Sequence, residues 1–145
     1  MTTRRFGREW AVQFLFQHDF NAGNDLNQAL EEFWTLQNVA LASRPFANEL
    51  IRGVLAHLPE LDKRIQAYSE HWELKRLNAV DRNVMRVALF EMLYRSDIPP
   101  VVSINEAVDI AKRFSSNESG RFVNGILDRA HKDLDRPSRE ASALN

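Results

Sequence analysis

The chain has 145 residues, of which 44% are apolar and 27% are charged, and it contains no cysteine. A chain of this length can bury about 70% of its unfolded surface, so one domain can fold without a disulfide or a metal. The lack of cysteine excludes disulfides, thiolate metal sites and cysteine nucleophiles, and it fits a reducing compartment. The formal net charge of −1 excludes a generally basic surface, so any site for a polyanion must be a local cluster of cations.

We expect neither a signal peptide nor a membrane-spanning segment. The arginines near the N-terminus are followed by a stretch that Glu9, Gln13 and Gln17 interrupt, and a signal peptide needs a continuous apolar run there. No segment approaches the roughly 18 consecutive apolar residues of a transmembrane helix. Together with the absence of cysteine, this predicts a cytoplasmic protein.

Apolar residues recur at helical spacing almost throughout, and the 5 glycines and 5 prolines lie mainly at joints. The pattern predicts an all-α fold, a compact bundle of about seven helices. The predicted helices cover residues 4–20, 25–38, 45–57, 59–70, 79–94, 104–114 and 118–134. Residues 1–134 are expected to form one domain, and residues 135–145 a flexible C-terminal tail.

The first predicted helix is apolar on two sides. One side carries Trp10, Phe14 and Leu15, and the other carries Val12 and Phe16. Such a helix either lies centrally in the core or presents its second side to a protein partner, and the sequence leaves both readings open.

Arg4, Arg5 and Arg8 form a basic cluster at the start of this helix. Cations at a helix N-terminus oppose the helix dipole, so three of them together suggest a further use. Each can neutralise a phosphate of a nucleic acid. The alternative is an ordinary solvated helix start.

The sixth and seventh helices carry start signals. Ser103 and Glu106 have the spacing of a capping box, and a second one at residues 115–118 would place Glu118 in the first turn of helix seven. Phe122 lies roughly 95° from the centre of the helix-seven core stripe, at the edge of the core. Beside Arg121, its ring is a candidate platform for an unpaired base, and the alternative is an aromatic lid on the core margin.

The sequence offers little support for catalysis, and the alternative of a metal-dependent hydrolase rests only on scattered histidines and carboxylates. The four histidines are scattered, and there is no zinc-protease helix, phosphate-binding glycine loop or nucleophile elbow. We expect no enzymatic activity, no metal and no cofactor.

Four blocks resemble the NusB family of bacterial transcription antitermination factors. They are residues 4–16 (RRFGREWAVQFLF), 80–91 (VDRNVMRVALFE), 98–114 (IPPVVSINEAVDIAKRF) and 122–128 (FVNGILD). The third and fourth at this spacing are highly specific. The resemblance implies two small helical subdomains and a non-enzymatic RNA-binding adaptor. It also implies binding to the boxA element of nascent ribosomal-RNA leader transcripts, as a heterodimer with the small-subunit ribosomal protein NusE, within the RNA polymerase antitermination complex.

The resemblance also assigns residues. The positions that match the family's RNA surface are Arg4, Arg5, Arg8 and Phe122, and Glu118 matches a position next to that surface. Arg121 is added to the RNA-binding set as the neighbour of Phe122, not by the resemblance. The NusE-binding positions are Phe16 and Asp81, and Val12 shares the stripe of Phe16. The same surface would permit a homodimer.

The chain departs from the family at two places. Gly7 stands where the family favours alanine, which would loosen helix one by up to about 1 kcal/mol. Ser115 replaces a glycine after Phe114, so that turn is expected to differ. A purely protein-binding scaffold is the alternative function. The RNA-binding domain of certain ribosomal-RNA cytosine methyltransferases is an alternative family, although residues 123–128 (VNGILD) lack its arginine-rich ending.

Overall fold

The computed structural model describes residues 3–21, 23–37, 41–69 and 77–134. Its helices are α1 (Thr3–His18), α2 (Leu26–Leu36), α3 (Arg44–Ala56), α4 (Leu58–Tyr68), α5 (Ala79–Tyr94), α6 (Pro100–Phe114) and α7 (Asn117–Lys132). A 3-10 turn, Leu41–Ser43, precedes α3, and these ranges contain no strand. The prediction of an all-α bundle of about seven helices is confirmed. The predicted helix ends at Asn38 and Glu70 and the predicted tail at residues 135–145 lie outside the described residues.

Helix α5 occupies the centre of the bundle. It packs against α1, α3, α4, α6 and α7. Apart from these contacts, α1 packs chiefly on α3 and α6 on α7, in agreement with two small helical subdomains. Side chains all around α5 are buried, including Met85, Leu89 and Met92. A helix that is buried all round is a central helix. Helix α1, for which the sequence allowed that position, instead packs beside α5 and keeps one side exposed.

Aromatic side chains hold α2 against α1. The Phe33 ring meets Trp10 and Phe14 edge-on, with centroids 6.0 Å and 5.3 Å away. The Trp34 indole N–H donates to Asn48 Oδ1 on α3 at 2.9 Å. These contacts explain the strongly aromatic first stripe of α1 as core.

Helix α6 begins at Pro100, four residues before the predicted start. Proline is pre-organised for the first turn of a helix, and this preference overrides the capping signal at Ser103. Ser103 therefore lies within the helix, where it is buried and donates to Glu91 at 2.7 Å. The predicted capping box is wrong at that position. At α7 the cap is Ser116, whose hydroxyl accepts from the Ser119 amide at 3.0 Å.

Gly7 has a packing role that the sequence did not reveal. A Cβ at this position would lie 2.8 Å from Cδ2 of Phe46 on α3. Real Cβ contacts are essentially never that short, so the glycine lets α1 approach the ring closely. Glycine stands here in place of the family's alanine because the Phe46 ring occupies the space that an alanine Cβ would need.

Candidate nucleic-acid interface

The start of α1, the segment before α6 and the first turns of α6 enclose an open cleft of about 560 Å³. Its lining consists of Arg4, Arg5, Arg8, Asp97, Ile98, Pro99, Val102 and Glu106. The structure thus brings the three predicted arginines to one place. They differ strongly in exposure and in their partners.

Arg4 is the most accessible of the three. Half of its side chain is exposed, and one guanidinium nitrogen lies 3.2 Å from Asp97 Oδ2. The guanidinium also lies over the Phe46 ring, 5.1 Å from its centroid. An exposed pair of this kind contributes little to stability, so Arg4 can exchange Asp97 for another anion at small cost.

Arg5 lies between two carboxylates of α6. Its Nε donates to Glu106 Oε2 at 2.8 Å, and its Nη2 donates to Glu106 and to Asp109 Oδ2, the latter at 3.0 Å. The Glu106 hydrogen bond raises the pKa of Arg5 above its ordinary value, and the same bond lowers the pKa of Glu106. The pair is therefore ionised, and about a quarter of the Arg5 side chain remains exposed.

Arg8 does not lie on the surface, in contrast to the predicted phosphate-contacting position. It is only 4% exposed. Its guanidinium donates to both oxygens of Glu91, at 2.7 Å and 3.1 Å, and to Glu106 Oε1 at 3.0 Å. A buried charge needs paired and hydrogen-bonded partners, and Arg8 has them. It joins α1, α5 and α6 as a structural ion pair.

Arg113, a further cation on this side of the molecule, has a partner on α1 that the sequence does not predict. Arg113 of α6 donates to Glu9 Oε2 of α1 at 2.9 Å, and its guanidinium lies 5.7 Å from the centroid of the Phe114 ring. Glu9 is buried, whereas half of the Arg113 side chain is exposed. The only signal in the sequence is that Glu9 stands next to Trp10 and Ala11, at the edge of an apolar stripe.

The predicted positions on α7 are accessible to different degrees. Phe122 is half-buried and packs against the core, as its place at the edge of the stripe predicted. Glu118, in the first turn, and Arg121 are exposed. Helix α6 packs against α7 and also supplies the carboxylates that hold Arg5, so it is the element between the two predicted RNA-binding groups.

The predicted partner-binding stripe on α1 is only partly on the surface. Val12 is 2% exposed and lines a small internal cavity with Val84 and Val87 of α5, so it belongs to the core and not to a partner surface. Phe16 is 38% exposed and Phe20 is 71% exposed. Their rings meet edge-on with centroids 5.4 Å apart. The accessible apolar patch is therefore the pair Phe16–Phe20 at the C-terminal end of α1.

Asp81, the other predicted partner-binding residue, is also buried, with 5% exposure. Its Oδ2 accepts from the Ser119 hydroxyl at 3.1 Å, while its Oδ1 has no hydrogen-bond partner among the described residues. Burial raises the pKa of this carboxyl above its ordinary value of 3.8, against a smaller opposing effect of the Ser119 hydrogen bond. In this structure Asp81 joins α5 to α7 and offers a partner almost no surface.

Replacing Asp81 with asparagine is expected to stabilise the fold in a pH-dependent way. Because the folded state holds the Asp81 proton to a higher pH than the unfolded chain, the wild-type protein loses stability as the pH rises from 3.8 through the raised pKa. The neutral amide of the variant does not titrate, so its stability does not fall in this way. The difference in free energy of unfolding between Asp81→Asn and the wild type therefore grows through this pH window and then stays constant. Urea denaturation of both proteins across the window measures it, and an advantage that does not change with pH contradicts the assignment.

The described residues contain no cluster of three or more histidine, aspartate and glutamate side chains that could hold a metal ion. None of the described helices is both long enough and apolar enough to cross a bilayer.

Comparison with known proteins identifies relatives over nearly the whole chain. The model of the NusB family matches residues 6–132. The transcription antitermination protein NusB of Desulfosudis oleivorans is 46% identical over 136 residues, which cover 92% of this chain and 88% of that protein. The corresponding protein of Myxococcus xanthus is 43% identical over 141 residues, covering 94% of this chain and all of that protein.

Solved structures show the same architecture. T. maritima NusB superposes with a TM-score of 0.80 and 44% identity, covering 94% of this chain and 95% of its own. A chain of the crystal structure of antitermination factors NusB and NusE in complex with dsRNA superposes with a TM-score of 0.81 and 25% identity, covering 92% and 99%.

Proposed function

The chain belongs to the NusB family, and from this membership and the geometry above we propose that it is a non-enzymatic, cytoplasmic RNA-binding adaptor in transcription antitermination. It binds boxA RNA of nascent ribosomal-RNA leaders as a heterodimer with NusE and joins the antitermination complex of RNA polymerase. A related structure contains NusB, NusE and dsRNA together, which supports both kinds of partner.

The observation that carries the proposal is the arginine-lined cleft at the start of α1. Arg4 and Arg5 reach its surface, and the exposed Arg121 and half-buried Phe122 lie on α7, beyond α6. RNA recognition commonly combines cations for the phosphates with a ring for an unstacked base. Glu118 is an exposed acid at the edge of this surface, and it would repel a nearby RNA phosphate. Arg8 contributes by holding the helices in place.

Electrostatics predicts weak binding by the chain alone. Each arginine of the basic cluster already has a carboxylate partner: Asp97 for Arg4, and Glu106 for both Arg5 and Arg8. An RNA phosphate must therefore replace a carboxylate as the partner of the arginine. The free energy gained on binding is only the difference between these two similar ion pairs. A second protein that binds both this chain and the same RNA strengthens the complex, because the RNA is then held at two linked sites.

The Phe16–Phe20 patch is the surface that we assign to NusE. Two adjacent exposed aromatic side chains suit a protein interface, in which aromatic residues are enriched. Phe16 lies about 12 Å along α1 from Arg8 and about 18 Å from Arg4, since each residue of a helix rises by about 1.5 Å. The RNA cleft and the protein surface therefore lie toward opposite ends of one helix and share no residue.

A gel-shift titration with boxA RNA, with and without NusE, tests the proposal. We expect a weak shift with this chain alone and a much stronger shift with NusE present. No shift in either condition at micromolar protein contradicts RNA binding. Binding of NusE with no RNA shift in any condition supports the alternative, a purely protein-binding scaffold, which the net charge of −1 favours.

Changing Asp109 to asparagine is expected to strengthen RNA binding. Asp109 is an exposed competitor for Arg5, whereas Glu106 keeps that guanidinium in place. We expect affinity to rise about threefold to tenfold at low salt, and the salt dependence to steepen by up to about 0.7 for one extra phosphate contact on a single strand. Fluorescence anisotropy at several salt concentrations measures both effects.

The control for net charge is Glu31→Gln. Glu31 is also exposed, but it lies on α2, away from Arg5 and from the proposed RNA-binding residues of α7. The variant removes the same charge. If both variants strengthen RNA binding equally, the effect is one of overall charge and Asp109 has no specific role.

A further inference from the structure

We propose that the cleft at the start of α1 is a pocket for one unpaired nucleotide of the bound RNA, with the base on the apolar floor and its phosphate on Arg4. This inference rests on the proposed function and goes beyond it. It assigns a subsite to Ile98, Pro99 and Val102, to which the sequence assigns no binding role.

The floor of the cleft is apolar and partly open to solvent. Ile98 is buried, Pro99 is half-buried, and Val102 is among the exposed large apolar side chains of the chain, at 38%. Single exposed apolar residues need no explanation, but this one borders a concave site beside a cationic rim. A flat base placed there would remove the valine and proline surfaces from water.

The rim provides charge on one side. The Arg4 side chain is half-exposed, and its guanidinium lies over the Phe46 ring and beside Asp97. Asp97 is itself held by Arg95 at 2.9 Å and 3.0 Å, so its carboxylate stays in place when Arg4 turns toward a phosphate. The Arg95 hydrogen bonds lower the pKa of Asp97 to about 2, which keeps it ionised.

Size and shape agree with this occupant. The cleft of about 560 Å³ lies within the range of roughly 300–1,000 Å³ that is usual for small-ligand sites, and it is open on one side, as a nucleotide within a strand requires. Arg8 and Glu106, tied to each other at 3.0 Å, form a fixed inner wall. An acidic protein segment would meet the same cations, and a competition experiment between such a peptide and RNA separates the two occupants.

The test compares two variants that add the same charge. Val102→Asp places a carboxylate on the floor, and because Val102 lies in the first turn of α6, the helix dipole favours an acid there and the fold is retained. Leu36→Asp adds a carboxylate at another exposed apolar position, on α2. In the ternary complex with NusE, we expect Val102→Asp to weaken RNA binding about tenfold or more and Leu36→Asp less than twofold. Equal losses overturn the proposal.

An abasic scan of the RNA identifies the base itself. One position should exist at which removing the base weakens binding to the wild-type chain about tenfold but has little further effect on Val102→Asp. If no position shows this coupling, the cleft holds no base and the proposal is wrong, even when RNA binding persists. If the wild-type complex binds no RNA, the proposed function itself fails. If an acidic peptide competes for the cleft while RNA does not, the occupant is a protein segment.

Discussion

Replacing Glu91 with leucine is expected to lower the free energy of unfolding by about 3–5 kcal/mol, because it leaves a buried guanidinium without its main partner. Glu91 is completely buried and accepts two hydrogen bonds from Arg8 and one from Ser103. Urea denaturation measures the loss. The matched control is Glu49→Leu, which removes the exposed partner of Arg95 at 2.7 Å and should cost less than about 1 kcal/mol.

A double variant shows whether Arg8 has any role besides structure. Replacing Arg8 with methionine together with Glu91→Leu removes both charges, and an apolar pair of similar volume often restores stability. If Arg8 serves only the fold, the double variant keeps its RNA affinity within about twofold. A stable double variant that has lost RNA binding would show that Arg8 contacts the RNA after all.

The architecture could be predicted because its signals are local. Helix α5 has both ends where the sequence placed them, and α3 and α4 differ from their predicted starts by one residue each. Apolar spacing, Asn78 as a cap and prolines at joints all act within a few residues of the element they define. The start of α6 was misplaced because two local signals competed there, and Pro100 outweighed Ser103.

The site was predicted less well because its contacts join distant parts of the chain. Arg5 is bound by a residue 101 positions away, and Glu9 by one 104 positions away. The spacing of apolar residues predicts helices, but it does not show which distant charged residues pair with each other. Arg8 was therefore expected on the surface, where unpaired charges belong, although a partner 83 positions away buries it.

Val12 and Asp81 show the same limit for the partner surface. Val12 shares a stripe with Phe16, but α5 covers only the part of the stripe that holds Val12. Asp81 is predicted as a partner-binding residue from the family resemblance alone. In the structure one of its carboxylate oxygens instead accepts a hydrogen bond from Ser119 of α7. A charge reversal at Asp81 would place a lysine inside the protein, so it would test folding and not binding. Phe16 is the suitable position for a binding test.

Replacing Phe122 with alanine is expected to weaken RNA binding about 5- to 150-fold while NusE still binds. Stacking of one base on an aromatic ring contributes about 1–3 kcal/mol, which corresponds to this range. Because Phe122 also packs against the core, Phe122→Leu serves as the packing control: it fills most of the volume but offers no ring. Both variants should therefore lose affinity, whereas Phe122→Tyr should retain it. Anisotropy with labelled RNA in the presence of NusE measures all three.

The reciprocal variant is Phe16→Ala, at the opposite end of the proposed binding surface. With 38% exposure, Phe16 can lose its ring without a large cavity, so NusE binding should weaken while the RNA affinity of the chain alone stays the same. RNA affinity in the ternary complex then falls only through loss of NusE, and excess NusE restores it. No such rescue is expected for Phe122→Ala, whose defect lies in the RNA contact itself. If excess NusE rescues both variants equally, Phe122 acts through the protein interface and the division of the surface into an RNA end and a protein end is wrong.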